Sequence, residues 1–320
     1  MAATSLVPLL GANLLGCSDS SDSRSSAGPA TTSGQFLHGI ASGDPLSDRV
    51  ILWTRITPDE EGVAGLAWEV ASDAQFTDVV ASGSGTTDAS VDYTAKVDVT
   101  DLEPGAHYYY RFTSGDNVSA VGSTRTLPVG QVAAASFAVV SCSNYPAGFF
   151  HVYREVANQE LDAVLHLGDY IYEYAADGYA SERAEEFGRV SDPETEIVSL
   201  SDYRRRYAQY RTDNDLQAAH AAHPFIVVWD DHEITNHESA NNPWTEGAQN
   251  HQPETEGSFE DRKAAAVQAW YEWLPVRPPS AQQDIIYRHF NYGDLLDLFM
   301  LDTRLIGRDE QNTYTDFVNG

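Results

Sequence analysis

The residues able to do chemistry fall in four short motifs, each directly behind an apolar run. Ser141-Cys142-Ser143-Asn144 follows the run at 137–140, and Gly168-Asp169-Tyr170-Ile171-Tyr172-Glu173-Tyr174 follows the run at 163–167. Asp230-Asp231-His232-Glu233-Ile234-Thr235-Asn236-His237 follows 225–229, and Asp302-Thr303-Arg304 follows 295–301. A thiol, carboxylates, phenols, imidazoles and an amide gathered in this way are the side chains that hold metal ions. Carboxylate and phenolate oxygens suit hard cations. A thiolate adds an anionic donor that metal binding keeps deprotonated.

Each residue also has a plain structural reading. Cys142 alone would be a small buried hydrophobe, and Asp169 a turn residue. Tyr170, Tyr172 and Tyr174 share one face if the segment is extended, which would make them one aromatic cluster. Asp230 or His232 could cap a following helix. Asp302 and Arg304 read as a structural ion pair, and His166 as a core or supporting residue. His220 and His223 fall at a helix end and read as structural or surface groups, and Arg204, Arg205 and Arg206 as a solvated helix face. Asn241, Asn242 and His251 lie in a polar stretch, 238–257, that reads as a loop near the site.

The four runs behind which the motifs stand have the near-continuous apolar character of strands buried on both faces. Helical patterns lie between them. Residues 146–159 place Phe149, Phe150, Tyr153 and Val156 on one side, and 258–273 opens on Ser258 and Asp261 in the manner of a capping box. This alternation predicts a layered α/β domain from 133 to 320, in which ligands gather outside the carboxyl ends of the strands. Residues 36–128 differ in texture. Alternating runs at 50–53, 66–70, 95–99 and 108–112 are separated by turn signals at 42–45, 82–85 and 103–105. They predict an all-β immunoglobulin- or fibronectin-like sandwich, and 126–130 reads as the joint between the two domains.

Charge narrows the partners. Nineteen basic residues face 48 acidic ones, a net charge of −29, and Lys96 and Lys263 are the sole lysines. A nucleic-acid surface is excluded, because neutralising a phosphate backbone needs basic side chains. A phosphorylated substrate would need positive charge from metal ions or a few arginines. No glycine-rich phosphate loop follows the first α/β strand, which argues against a dinucleotide or ATP enzyme. At the N-terminus, residues 1–17 form an uncharged apolar segment ending in Leu14-Leu15-Gly16-Cys17, with a Ser-rich linker at 18–35. The segment is too short to span a membrane. It reads as a lipoprotein signal segment with a lipid anchor through Cys17, the true start lying upstream because no basic residue precedes it. Export is expected, to a periplasmic, extracellular or membrane-anchored location, and no disulfide is expected between Cys17 and Cys142.

Read in order, SCSN, GDYIYEY, WDDHEITN and LDTR resemble the PhoD-like alkaline phosphatases and phosphodiesterases of the calcineurin-like metallophosphoesterase superfamily. The segment HGIASGDPLSDRVILWTRITP resembles the sandwich domain that precedes their catalytic domain, so the resemblance spans residues 36–320. It implies a site holding ferric iron and calcium, and a metal-dependent hydrolase of phosphomonoesters or phosphodiesters that scavenges phosphate. Carried over by motif, Cys142 is a thiolate iron ligand, Asp169 bridges the metals, Tyr172 is a phenolate iron ligand and Asn236 is an amide ligand on the calcium side. Asp231 and His232 stand where related phosphoesterases have an Asn-His pair, and with Asp169 they form the expected catalytic set. The resemblance also implies a Gly-Asp-x-His-type motif supplying the last ligands. None occurs here, and the expectation is a chain truncated ahead of it and inactive by itself. The alternative from another class is a cell-surface binding lipoprotein with a catalytically dead α/β domain.

Overall fold

β-Branched and aromatic runs separated by glycine- and proline-containing turns open the structure as antiparallel sheet. The computed structural model describes residues 31–237, 248, 250–278 and 285–306. Its first strands are β1 (Gly34–Gln35), β2 (Ile40–Gly43), β3 (Val50–Arg55), β4 (Thr57–Pro58) and β5 (Ala64–Ala71). They continue as β6 (Val79–Thr87), β7 (Thr94–Val99), β8 (His107–Ser114), β9 (Asn117–Val118) and β10 (Gly122–Arg125). One sheet runs β10-β8-β5-β6, with β9 on the edge of β8. Opposite it lie β2, β3 and β7, and the layers share a core of Ile40, Val50, Leu52, Leu66, Val70, Val99, Tyr110 and Phe112. Each such side chain stabilises the sandwich by roughly 1.5–3 kcal/mol on burial.

The second layer of that sandwich does not end there. After β11 (Phe137–Val140), β12 (Ala163–His166) and β13 (Pro224–Val227) pair in parallel, and β13 pairs in parallel with β2 through Pro224–Ser42 and Phe225–Gly43. A single mixed sheet of order β11-β12-β13-β2-β3-β7 therefore runs from the α/β part into the sandwich. Gly43 permits the junction: a Cβ there would sit 2.3 Å from the Pro275 carbonyl oxygen and 2.5 Å from that of Phe225.

Helices connect the parallel strands in sequence, and two more follow the last of them. They are α1 (His151–Ala157), α2 (Ala184–Phe187), α3 (Leu200–Tyr210), α4 (Asn214–Ala222), α5 (Pro253–Glu256) and α6 (Phe259–Trp273). Ser199 and Asp202 close a reciprocal capping box on α3, and Ser258 Oγ accepts the Asp261 N–H at the start of α6. Tyr203, Tyr207 and Tyr210 of α3 are fully buried, as are Trp270 and Trp273 of α6. Trp53 of β3 reaches this core, where its Nε1 donates to the Glu272 carbonyl at 2.7 Å and the Arg211 guanidinium lies 4.4 Å from its ring.

Two expectations need correction. β12 and β13 are buried throughout, but β11 is an edge strand with Val139 62% exposed. The fourth apolar run is no member of the parallel sheet; β15 (Leu296–Met300) pairs with β14 (Arg288–Tyr292) in a separate antiparallel hairpin, leaving Phe299 62% exposed. An apolar run cannot announce its partner, because pairing is decided by elements far away in sequence. In α1, Phe150, Tyr153 and Val156 face the core as the period predicts, while Phe149 precedes the helix and is exposed.

Candidate metal centre

The ends of β11, β12 and β13 meet because their turns are tied to one another. Cys142 N–H donates to the Gly168 carbonyl at 3.1 Å and Ser143 N–H to that of Asp169 at 2.8 Å. Gly168 adopts φ 105°, and a Cβ on it would fall 2.3 Å from the Asp230 nitrogen. Cys142 and Asp169 both hold left-handed backbone, at φ 59° and 54°. Such conformations cost of order 1–2 kcal/mol outside glycine and cluster at functional sites. Here they turn both side chains to one point.

That point is the Asp169 carboxylate. Its Oδ2 accepts from Cys142 Sγ at 3.4 Å and from Tyr172 Oη at 3.2 Å, while its Oδ1 accepts the His232 N–H at 3.4 Å. Ligand atoms of Asp169, Asp231 and His232 all lie within 4.8 Å of one another. Partial desolvation raises the thiol of Cys142, itself exposed, with the Asp169 charge adding to it, and burial pushes the Tyr172 phenol well above its ordinary range. Asp169 is raised as well, first by burial and then by Asp230 and Asp231. Three acids that disfavour one another's ionised forms in one place make a donor set that a cation would relieve. The residues present therefore fit a metal ion.

Two buried glutamates hold this set in position, and neither stood out in the sequence. Glu233 accepts from Asp169 N–H at 3.0 Å, Asp230 N–H at 2.8 Å and Tyr170 N–H at 2.6 Å, binding the β12 and β13 turns together. Burial and the Asp169 charge push its carboxyl up against the pull of those donors. Glu173, fully buried, binds His232 Nδ1 at 2.7 Å and accepts the Asn236 N–H at 2.7 Å. Burial opposes a charged His232, but the Glu173 hydrogen bond and the charges of Glu173, Asp169 and Asp231 outweigh it and hold the imidazole at about 9. Both glutamates lie inside the quoted motifs; their burial on polar partners was the missing signal.

The structure thus brings Cys142, Asp169, Tyr172, Asp231 and His232 together. Asn236 is placed close by, tied in through its backbone N–H to Glu173. Other readings change. The three tyrosines do not share a face: Tyr170 turns into the core and hydrogen-bonds His220 Nε2 at 2.8 Å, while Tyr172 stacks on His232 with ring centroids 4.2 Å apart. Asp230 caps no helix and pairs instead with Arg304. The Arg304 guanidinium does not pair with Asp302 but also bonds Asp231 Oδ1 at 3.2 Å, while Asp302 Oδ1 accepts the Arg304 backbone N–H at 2.9 Å and the Trp229 indole N–H at 3.3 Å. Arg206 is buried rather than solvated, donating to the Tyr172 and Pro193 carbonyls, whereas Arg205 is exposed. His166 is a core residue bonded to Tyr153 Oη at 3.1 Å, and His223 is buried on the Val156 carbonyl. His251 is buried against Glu256 and Gly257 beside α5, and Asn241 and Asn242 lie outside the described residues.

A parallel sheet whose strand ends collect a thiol, a phenol, carboxylates and an imidazole, fused to a β-sandwich, defines a two-part α/β protein with a candidate metal centre. The family described as PhoD-like phosphatase matches residues 137–319, and the family described as PhoD-like phosphatase, N-terminal domain, matches residues 21–128. The chain belongs to the PhoD-like phosphatase family. Among curated relatives, alkaline phosphatase D of Bacillus subtilis (strain 168) is 42% identical over 299 residues, covering 89% of this chain and 49% of its own length. A solved structure described as "Structure of PhoD" superposes with a TM-score of 0.76 at 41% identity, covering 87% of this chain and 53% of that one. The chain spans about half the length of the relatives it matches.

Proposed function

We propose that the protein hydrolyses phosphoesters, monoesters or diesters, at a metal centre built on Asp169, and that it does so outside the cytoplasm to release phosphate. The observation that carries this is the convergence of Cys142 Sγ and Tyr172 Oη on Asp169 Oδ2, with Asp231 and His232 alongside, from three adjacent strand ends. Cys142, Asp169 and Tyr172 would hold ferric iron, and Asp169 with Asn236 calcium, the carboxylate and phenolate oxygens matching hard ions and the thiolate adding a strong anionic donor. When bound, the ions supply positive charge and Lewis acidity toward phosphoryl oxygens, which this acidic chain otherwise lacks. Glu173 holds His232 Nδ1, which leaves Nε2 as the nitrogen for coordination or for moving a proton to the departing alkoxide. Arg304 neutralises Asp230 and fixes Asp231 Oδ1 in place. Export, with lipidation at Cys17, completes the reading. It is supported by the apolar residues 1–16, which lie outside the described residues, while no described helix is long and apolar enough to cross a membrane.

The test measures metal content and hydrolysis of paired chromogenic mono- and diesters on the full-length protein, with Cys142→Ala and Asp169→Asn beside it. Bound iron and calcium, ester turnover, and loss of both in the variants are expected. A folded protein that binds no metal and cleaves neither ester would overturn the proposal in favour of a surface-binding role.

A further inference from the structure

The segment after the GDYIYEY motif folds back and brings Tyr179 beside Tyr172 and Tyr174. Tyr179 lies with its ring centroid 6.3 Å from that of Tyr172 at an interplanar angle of 24°, and 6.1 Å from that of Tyr174. Tyr174 is 6.4 Å from Tyr172 at 28° and 5.3 Å from the His232 ring. Four rings thus crowd together, and two of them, Tyr172 and His232, touch or join the Asp169 cluster. The set is not a core. Tyr179 is 64% exposed, although burial is what ordinarily orders a ring of that size.

The backbone that carries it is nonetheless fixed by polar contacts. Asn144 Nδ2, from the Cys142 loop, donates to the Tyr179 carbonyl at 3.2 Å. Gly178 N–H donates to the Ala175 carbonyl at 2.9 Å, and Ser181 Oγ to that of Gly178 at 2.7 Å. Gly178 is required for the fold-back, since a Cβ there would lie 2.6 Å from Tyr174 Cβ. The segment that carries Tyr179 is acidic on balance: Asp177, Glu182, Glu185 and Glu186 outnumber Arg183, which pairs with Glu186. A further anionic group on a substrate would be repelled there.

We propose that Tyr174 and Tyr179 form a stacking shelf beside the metal centre that receives a flat aromatic ring bearing no negative charge, carried by the phosphoester. This rests on the phosphoester reading and names the substrate class for it: aryl esters over small alkyl ones. In an aryl ester the ring is one bridging oxygen from phosphorus, so a phosphoryl group bound at the Asp169 cluster leaves its ring among the tyrosines. An exposed, pre-positioned tyrosine face binds such a ring with little ordering cost.

Binding of methylphosphonate and 1-naphthylphosphonate to the full-length, metal-loaded protein, measured by calorimetry, tests this without turnover. Wild type is expected to prefer the naphthyl compound. Tyr179→Ala should lose about two- to tenfold of that preference, the range that an aromatic pair supplies. Methylphosphonate binding should stay unchanged, and Tyr179→Phe should keep the preference. If both phosphonates bind but Tyr179→Ala leaves the preference intact, or wild type shows none, the shelf is wrong and the phosphoester reading stands. If neither phosphonate binds, both fall together.

Discussion

Glu173 reaches the candidate metal centre only through a hydrogen bond to His232, yet it decides what that histidine can do. The carboxylate is buried, holds Nδ1 at 2.7 Å and raises the imidazole to about 9. In the metal-free protein this pair stabilises the fold below the unfolded histidine value of about 6.5, and the contribution disappears as pH rises through about 9. Glu173→Gln should therefore move the His232 titration down toward 6.5, seen by NMR, and cost roughly 1–3 kcal/mol at pH 6. An unchanged His232 titration would show that Glu173 does not set it. Arg304→Met should leave Asp230 and Asp231 facing each other unneutralised. Weakened retention of metal against a chelator is expected, by roughly 10–100-fold, the range seen when a group supporting ligands is removed. Sequence alone did not single out Glu173, Glu233 or the Arg304 partners. A motif lists residues, but burial and partners 60 or 70 positions away assign their work. Cys142 and Asp169 stood out because their residue types are uncommon together at strand ends, whereas only the family resemblance separated Tyr172 from Tyr170 and Tyr174.

At the scale of elements, periodicity and caps were readable and pairing was not. The alternating runs became β3, β5, β7 and β8, and the Ser258 start became the cap of α6. Ser258→Ala should lower stability by about 1 kcal/mol, measured by urea unfolding, because the Asp261 N–H loses its acceptor. The apolar runs of β12 and β15 look alike in sequence, yet one lies in the middle of a sheet and the other in a hairpin with a wet face. Nothing local distinguishes them. Trp53 is the stronger probe of packing. Its indole fills the core between β3 and α6 and donates to the Glu272 carbonyl, so Trp53→Ala should cost about 3–5 kcal/mol. Because the residue belongs to the sandwich and its partners to the α/β part, a single unfolding transition shifted as a whole is the expected trace. Two separated transitions would mean the parts unfold independently.

For the whole molecule, charge is the dominant property, and Lys96 is where it turns inward. Burial lowers its amine from 10.5 to about 7; the charges of Asp44 and Glu272 raise it and that of Arg288 lowers it further, while Nζ donates to the Val276 carbonyl at 3.0 Å. The folded state then binds fewer protons than the unfolded state between about pH 7 and 10.5, so this residue's contribution to stability improves as pH rises through that window. Its sign is opposite to that of His232. Lys96→Met should raise stability at pH 7 by roughly 1–3 kcal/mol and flatten the alkaline part of the profile, as read from Tm against pH.

The parallel pairing of β13 with β2 bears on how the chain reaches this structure. Ser42 and Pro224 must find each other across most of the described sequence, and closing so long a loop is slow even when the final state is stable. Until that happens β2 offers an open, hydrogen-bond-hungry edge, the kind that pairs with other copies. The sandwich therefore waits for the strand that completes it, and residues 36–128 made by themselves should associate with one another where the longer chain stays apart. Aggregation during synthesis, more than thermodynamic stability, is the hazard this architecture carries.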